Sequence, residues 1–123
     1  MKYTFLLIGE KMESQWPLIL EQALSPLGTL LMVSETNAVQ IVAQSCYDVI
    51  IIDAGVVRDA VRLVSLLREK HPKARIIVAT ASPTWQRARE TLQAGAVDYI
   101  RKSLDEKQLR SEIQAVLETQ LPL

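Results

Sequence analysis

The stretch Tyr47-Asp48-Val49-Ile50-Ile51-Ile52-Asp53 is an apolar run that stops on a carboxylate. Four large apolar residues in succession, Val49 to Ile52, cannot show one wet face and one dry face. The run therefore predicts a strand covered on both sides, as in the middle of a parallel sheet. Ala54 and Gly55 follow at once. Ligands of open parallel sheets bind just beyond the carboxyl ends of the strands, where a charged group can be solvated while the run behind it stays buried. Asp53 is thus the leading candidate for the working residue, set against a purely structural acid.

Three more polar groups close apolar runs. Glu10 follows Thr4–Ile8 and Gly9, Thr80 ends the run Ala74–Thr80, and Lys102 follows Val97–Arg101. In a parallel sheet these ends share one edge, so two carboxylates, a hydroxyl and an ammonium can converge there. Each also has a plain reading. Glu10 can be a solvated loop acid, Thr80 a cap for backbone groups, and Lys102 an exposed amine.

The elements that must position these residues alternate strand and helix along the whole length, the pattern of a βα-repeating fold. After the first strand, Ser14 is placed to cap a helix with Pro17 in its first turn and Leu18, Ile19, Ala23 and Leu24 at helical spacing. Ser25-Pro26 ends it, and Gly28 opens a strand over Thr29–Val33. Ser34 or Thr36 caps a second helix with Ala38, Val39, Val42 and Ala43 on one face. A third helix spans Val57–Lys70, with Ala60, Leu63, Val64 and Leu67 inward and His71-Pro72 at its end. Ser82 as cap and Pro83 as first residue start a fourth helix that runs to Ala94, with Gly95 where a C-terminal cap belongs. Ser103 and Glu106 match the capping box before a last helix carrying Leu109, Ile113, Val116 and Leu117.

Residues 1–123 read as one domain of five βα units, with no linker, repeat or low-complexity segment. Formal charge is zero, which leaves no electrostatic footprint for nucleic acid or an anionic membrane. The first apolar run is too short for a signal peptide or a membrane span. Cys46 is the sole cysteine, so no disulfide framework or thiolate metal site is expected, and it reads as a small hydrophobe. A cytoplasmic location is the default expectation.

Three segments together resemble the receiver domain of bacterial two-component response regulators. They are Tyr47 to Asp53, Ile76-Ile77-Val78-Ala79-Thr80-Ala81, and Gln93-Ala94-Gly95-Ala96-Val97-Asp98-Tyr99-Ile100-Arg101-Lys102, which looks like the family's AGAxxYxxK stretch. The resemblance runs from Tyr3 to about Leu117. It implies a flavodoxin-like, doubly wound five-stranded parallel sheet of order 2-1-3-4-5 with five helices, acting as a signalling module and not as an enzyme. Asp53 is implied as phosphoacceptor, attacking a phosphoryl group carried on a histidine of a kinase or phosphotransfer protein. Mg²⁺ is implied at Glu10, Asp53 and the carbonyl of Gly55. Thr80 would hydrogen-bond the phosphoryl group, Lys102 would form an ion pair with it, and the rotamer of Tyr99 would follow Thr80. A downstream effector or a second copy would dock on helix 4, strand 5 and helix 5. Trp85 is either an anchor there or packed on its own helix.

The chain departs from the family's pattern in three places. Gly9-Glu10 stands where two adjacent acids are usual, with Glu13 a partial substitute. The loop after Asp53 is short and carries Arg58, which can screen Asp53, contact a phosphate, or pair with Asp59. Lys102 precedes Ser103 and not proline; a cis bond before a non-proline residue costs about 3 kcal/mol, so a trans bond, and with it a displaced Lys102 amine, is expected. Trp16 reads as a packing residue and His71 as helix-end chemistry. A phosphorylation-independent pseudo-receiver is the competing reading. A nucleotide binder of the same fold is poorer, since no G-x-G-x-x-G loop occurs.

Overall fold

Every strand of this protein is lined by apolar residues on both faces, and the alternation of side chains along a strand divides them into two half-cores. The structure, a computed structural model, describes residues 2–10 and 15–118. In chain order the elements are β1 (Tyr3–Ile8), α1 (Trp16–Leu24), β2 (Gly28–Val33), α2 (Glu35–Gln44), β3 (Val49–Asp53), α3 (Ala60–Lys70), β4 (Arg75–Thr80), α4 (Trp85–Ala94), β5 (Asp98–Arg101) and α5 (Glu106–Glu118). All strand pairs are parallel, in the order β2-β1-β3-β4-β5. That is the doubly wound, flavodoxin-like sheet expected from the sequence, with β3 at its centre.

Phe5, Leu7, Val49, Ile51, Ile77, Ala79 and Ile100 pack with α1 and α5 on one face. Leu6, Ile8, Ile50, Ile52, Ile76 and Val78 pack with α2, α3 and α4 on the other. β3 is buried at all of its positions, which is why its sequence shows no polar alternation.

Several helix starts differ from the sequence reading, each because a nearer side chain caps the backbone. α3 begins at Ala60, since Asp59 accepts from the Arg62 N–H at 3.0 Å; Val57 is buried in the preceding turn. α4 is capped by Thr84, which accepts from Arg87 N–H at 3.2 Å, and not by Ser82. Asp105 accepts from the N–H groups of Lys107 and Gln108 at the start of α5, displacing the Ser103–Glu106 box; the Ser103 hydroxyl instead accepts from Asp105 N–H. On α2, Ala38 and Val42 are buried but Ala43 is exposed. Cys46 is exposed as well, not a core residue. Ser14, the expected cap of α1, lies outside the described residues.

Gly95 closes α4 with φ +124°, a conformation that L side chains rarely adopt. Its carbonyl is held by Arg68 of α3, whose Nε and Nη2 donate to it at 3.2 and 2.7 Å, while Nη1 donates to the Pro72 carbonyl at 2.6 Å. Partial burial lowers the Arg68 pKa from its ordinary value through desolvation, yet a guanidinium stays charged at any working pH. Arg68→Ala removes two charge-assisted bonds to the end of α4 and one to the loop after α3, and about 2 kcal/mol of stability is expected to go with them in urea unfolding.

Glu112 on α5 gives a second prediction. Desolvation raises its carboxyl pKa and nearby Asp98 adds to that, while the hydrogen bond from Gln108 opposes it. A carboxyl raised in the folded state contributes stability below its unfolded pKa, and that contribution is lost as pH rises through the folded value. Glu112→Gln should therefore raise the midpoint of thermal unfolding at pH 7 slightly and leave it unchanged near pH 4.

Candidate functional site

The same alternation sorts the candidate residues. Asp53 lies two residues past Ile51, and Lys102 two past Ile100, both members of the α1/α5 half-core. Thr80 lies two past Val78, and Tyr99 packs on the α2/α3/α4 half-core. The four residues thus form two pairs, one on each side of the sheet.

In the first pair Lys102 Nζ donates to both oxygens of Asp53 at 2.9 Å. Gly55 N–H donates to Asp53 Oδ1, also at 2.9 Å. The side chains are 2% exposed for Asp53 and 13% for Lys102. A carboxylate this dry needs a partner, because an unpaired buried charge is strongly destabilising. The backbone fixes both ends. Asp53 is in register with Ala79, Ala54 N–H donates to the Ala79 carbonyl at 2.9 Å, and Lys102 N–H donates to the Thr80 carbonyl at 2.9 Å. The Lys102–Ser103 bond is trans as expected. The amine is nonetheless not displaced, because main-chain pairing carries β5 on to Lys102 and its long stem reaches Asp53.

One neighbour of this pair went unread in the sequence beyond its packing role. Trp16, the first residue of α1, is buried in the α1/α5 half-core, and Lys102 Nζ lies over its ring at 5.3 Å from the centroid. Nothing in the spacing of residues 16 and 102 announces that contact; only the alternation of β5, which sends Lys102 towards α1, could have suggested it.

The second pair, Thr80 and Tyr99, lines a cavity of about 220 Å³ together with Ala54, Val57, Arg58, Arg87 and Thr91. The Thr80 hydroxyl accepts from Ser82 N–H at 3.2 Å. Arg58 lines the cavity and is exposed, and its N–H donates to Glu35 Oε1 at 3.3 Å. Among the described residues it makes no ion pair with Asp53 or Asp59, the latter being engaged in capping α3. A larger cavity, about 530 Å³, lies between α1 and the β2 edge, walled by Pro17, Leu18, Leu30, Leu31 and Met32 with Glu21 as its charged group. Its lining is poor in reactive side chains, so the strand-end site remains the better candidate.

Of the remaining acids, Glu10 is exposed just past β1, and Glu13 lies outside the described residues. Gly9 is buried against Asp53: a Cβ built on it would stand 3.4 Å from Asp53 Cβ and 3.8 Å from Oδ2, ordinary contact distances. A Cβ is tolerated there, so glycine is not required at position 9 by crowding at that atom. No group of three His, Cys, Asp or Glu side chains gathers among the described residues. Oxygen donors of the hard kind remain in Asp53, Glu10 and the Gly55 carbonyl, which suits an ion that takes one or two carboxylates and keeps several waters.

The profile of the response regulator receiver domain matches residues 18–114. No curated protein matches the chain significantly in sequence. Among solved structures, a response regulator from Thermotoga maritima superposes with a TM-score of 0.87 at 20% identity, over 97% of this chain and 100% of that one. A response regulator from Burkholderia pseudomallei, solved with a phosphorylated aspartic acid, calcium ion and citrate, gives 0.76 at 22%, over 96% and 68%. An atypical orphan response regulator described as having a phosphorylation-independent mechanism gives 0.79 at 23%, over 96% and 98%.

Proposed function

The chain belongs to the response regulator receiver domain family, and from that premise we propose that it is a phosphoacceptor in a two-component relay with Asp53 as the receiving carboxylate. The observation that carries this reading is the buried Asp53 at the end of the central strand, gripped through both oxygens by Lys102. An Asp53 oxygen attacks a phosphoryl group carried on a histidine of a kinase or phosphotransfer protein; the P–N bond breaks and the imidazole leaves. Lys102 then turns from the carboxylate to the new phosphoryl oxygens, and the Gly55 N–H remains as a second donor to the site.

Receiver domains generally bind Mg²⁺, and here Asp53, Glu10 and the Gly55 carbonyl would hold it. When bound, the ion neutralises charge on the transferring oxygens. Gly9→Asp places a further carboxylate beside Asp53, with its Cβ at ordinary contact distance from that side chain. That variant is expected to bind Mg²⁺ about tenfold more tightly in a calorimetric titration, in line with the weight of ligand charge count in hard-cation sites.

Phosphorylation adds about −1.5 to −2 charge, enough to draw a hydroxyl on a neighbouring strand end. Thr80 moving towards it vacates part of the cavity shared with Tyr99, which couples the site to α4 and β5. Trp85 at the start of α4 is 76% exposed, not packed on its own helix, and offers an aromatic anchor on that side for an effector or a second copy. No helix among the described residues is long and apolar enough to cross a membrane.

The pseudo-receiver is the second reading, favoured by Gly9 in place of an acid and by the engagement of both Asp53 oxygens. Incubation with acetyl phosphate and Mg²⁺, followed by intact-mass measurement, separates the two. The relay reading expects one added phosphoryl group; no addition across a range of Mg²⁺ concentrations favours the pseudo-receiver.

A further inference from the structure

We propose that Trp16 is a positioning residue for Lys102, its indole face holding the ammonium where it meets a phosphoryl group on Asp53. The proposal rests on the phosphoacceptor reading above for its purpose, and on geometry for its substance. Lys102 Nζ lies 5.3 Å from the centroid of the Trp16 ring, within the roughly 6 Å over which a ring face attracts a cation, and indole is the strongest of the aromatic partners. Trp16 is 2% exposed and fixed in the α1/α5 half-core, with Pro17 setting the first turn behind it. Its Nε1–H is buried with no hydrogen-bond partner among the described residues, so what the indole offers the site is its π face.

A lysine needs such a support here. Its ammonium is a point charge on a flexible four-carbon stem, and in the unmodified protein Asp53 holds it through both oxygens. Once one of those oxygens is bonded to phosphorus, that grip is broken and the ammonium must be kept close while it finds the phosphoryl oxygens. Tyr99 packs against the second half-core, and Thr80 lines a cavity with it. Trp16 is in contact with Lys102 and is buried in the α1/α5 half-core, so its place does not depend on a bond to Asp53.

The test compares the wild-type protein with Trp16→Phe, which keeps a ring, and Trp16→Leu, which does not. In wild type the Lys102 ε-methylene proton resonances are expected upfield of ordinary lysine values through the ring current, partly so in Trp16→Phe, and at ordinary values in Trp16→Leu. Acetyl phosphate labelling is expected to fall about fivefold in Trp16→Leu and less than twofold in Trp16→Phe. Identical Lys102 resonances in wild type and Trp16→Leu, or equal loss of labelling in both variants, would overturn the proposal. A measurement that does not depend on Trp16→Leu folding uses Trp85→Phe, where Trp16 is the remaining tryptophan. Adding Lys102→Gln must change the Trp16 emission, and an unchanged spectrum overturns the contact. If wild type takes no phosphoryl group, the phosphoacceptor reading fails, and the resonances and emission alone decide whether Trp16 holds Lys102.

Discussion

Asp53→Asn is expected to take up no phosphoryl group from acetyl phosphate under conditions expected to add one to the wild-type protein. The amide nitrogen that replaces one oxygen cannot attack phosphorus, and the remaining carbonyl oxygen is a poor nucleophile. The variant still folds, because the amide oxygen can keep one of the two Lys102 bonds and the Gly55 turn is short and local. It loses the charge that matches Lys102, however, so a stability decrease of about 2 kcal/mol is expected in urea unfolding. Intact mass reads the first effect and the unfolding midpoint the second. A variant that is labelled as fast as wild type places the chemistry on another residue.

Lys102→Met has the larger effect on stability. Methionine keeps the length of the stem and removes the ammonium, leaving a carboxylate that is 2% exposed with the Gly55 N–H as its remaining donor among the described residues. Breaking a buried pair by removing one partner costs about 3 kcal/mol or more, because the other charge is stranded. Removing both charges is far milder, so Asp53→Asn with Lys102→Met should be more stable than Lys102→Met alone. The resulting coupling between the two sites is expected at about 3 kcal/mol in a double-mutant cycle, more than the cost of Asp53→Asn by itself. Labelling should fall about a hundredfold in Lys102→Met, the loss typical of one preorganised donor aimed at developing charge. Additive effects on stability would mean that the pair seen here does not hold the strand ends together.

The sheet was legible because its signal is coarse. Val49 to Ile52 and Ile76 to Ala79 are apolar runs that only a doubly covered parallel sheet explains, and Gly95 marks the end of α4 through its positive φ. Helix starts were less legible. Ser82, Ser103 and Asp59 all compete with neighbours that cap equally well, and which one wins depends on where the loop leaves the chain. At the site, the placing of Asp53, Thr80 and Lys102 at or just past strand ends was legible, but their individual contacts were not. The sequence reading placed a hydroxyl and an ammonium together around one acid. The structure puts Lys102 on Asp53 and has Thr80 and Tyr99 lining one cavity beside Ala54. Register decides this: Asp53 pairs with Ala79, so Thr80 falls one residue later and on the opposite face. Cys46 and Ala43 were misplaced for a related reason, since a residue near a buried strand or helix stripe can still fall on its open side.

The most direct measurement is chemical location of the modified residue. Borohydride reduces an aspartyl phosphate to homoserine with release of phosphate, and tandem mass spectrometry of the digested protein reads the position. After acetyl phosphate treatment, homoserine is expected at position 53 alone. Reduction at another acid such as Glu10 or Asp59, or at none in a protein that is folded and supplied with Mg²⁺, would contradict the assignment of Asp53 as the acceptor.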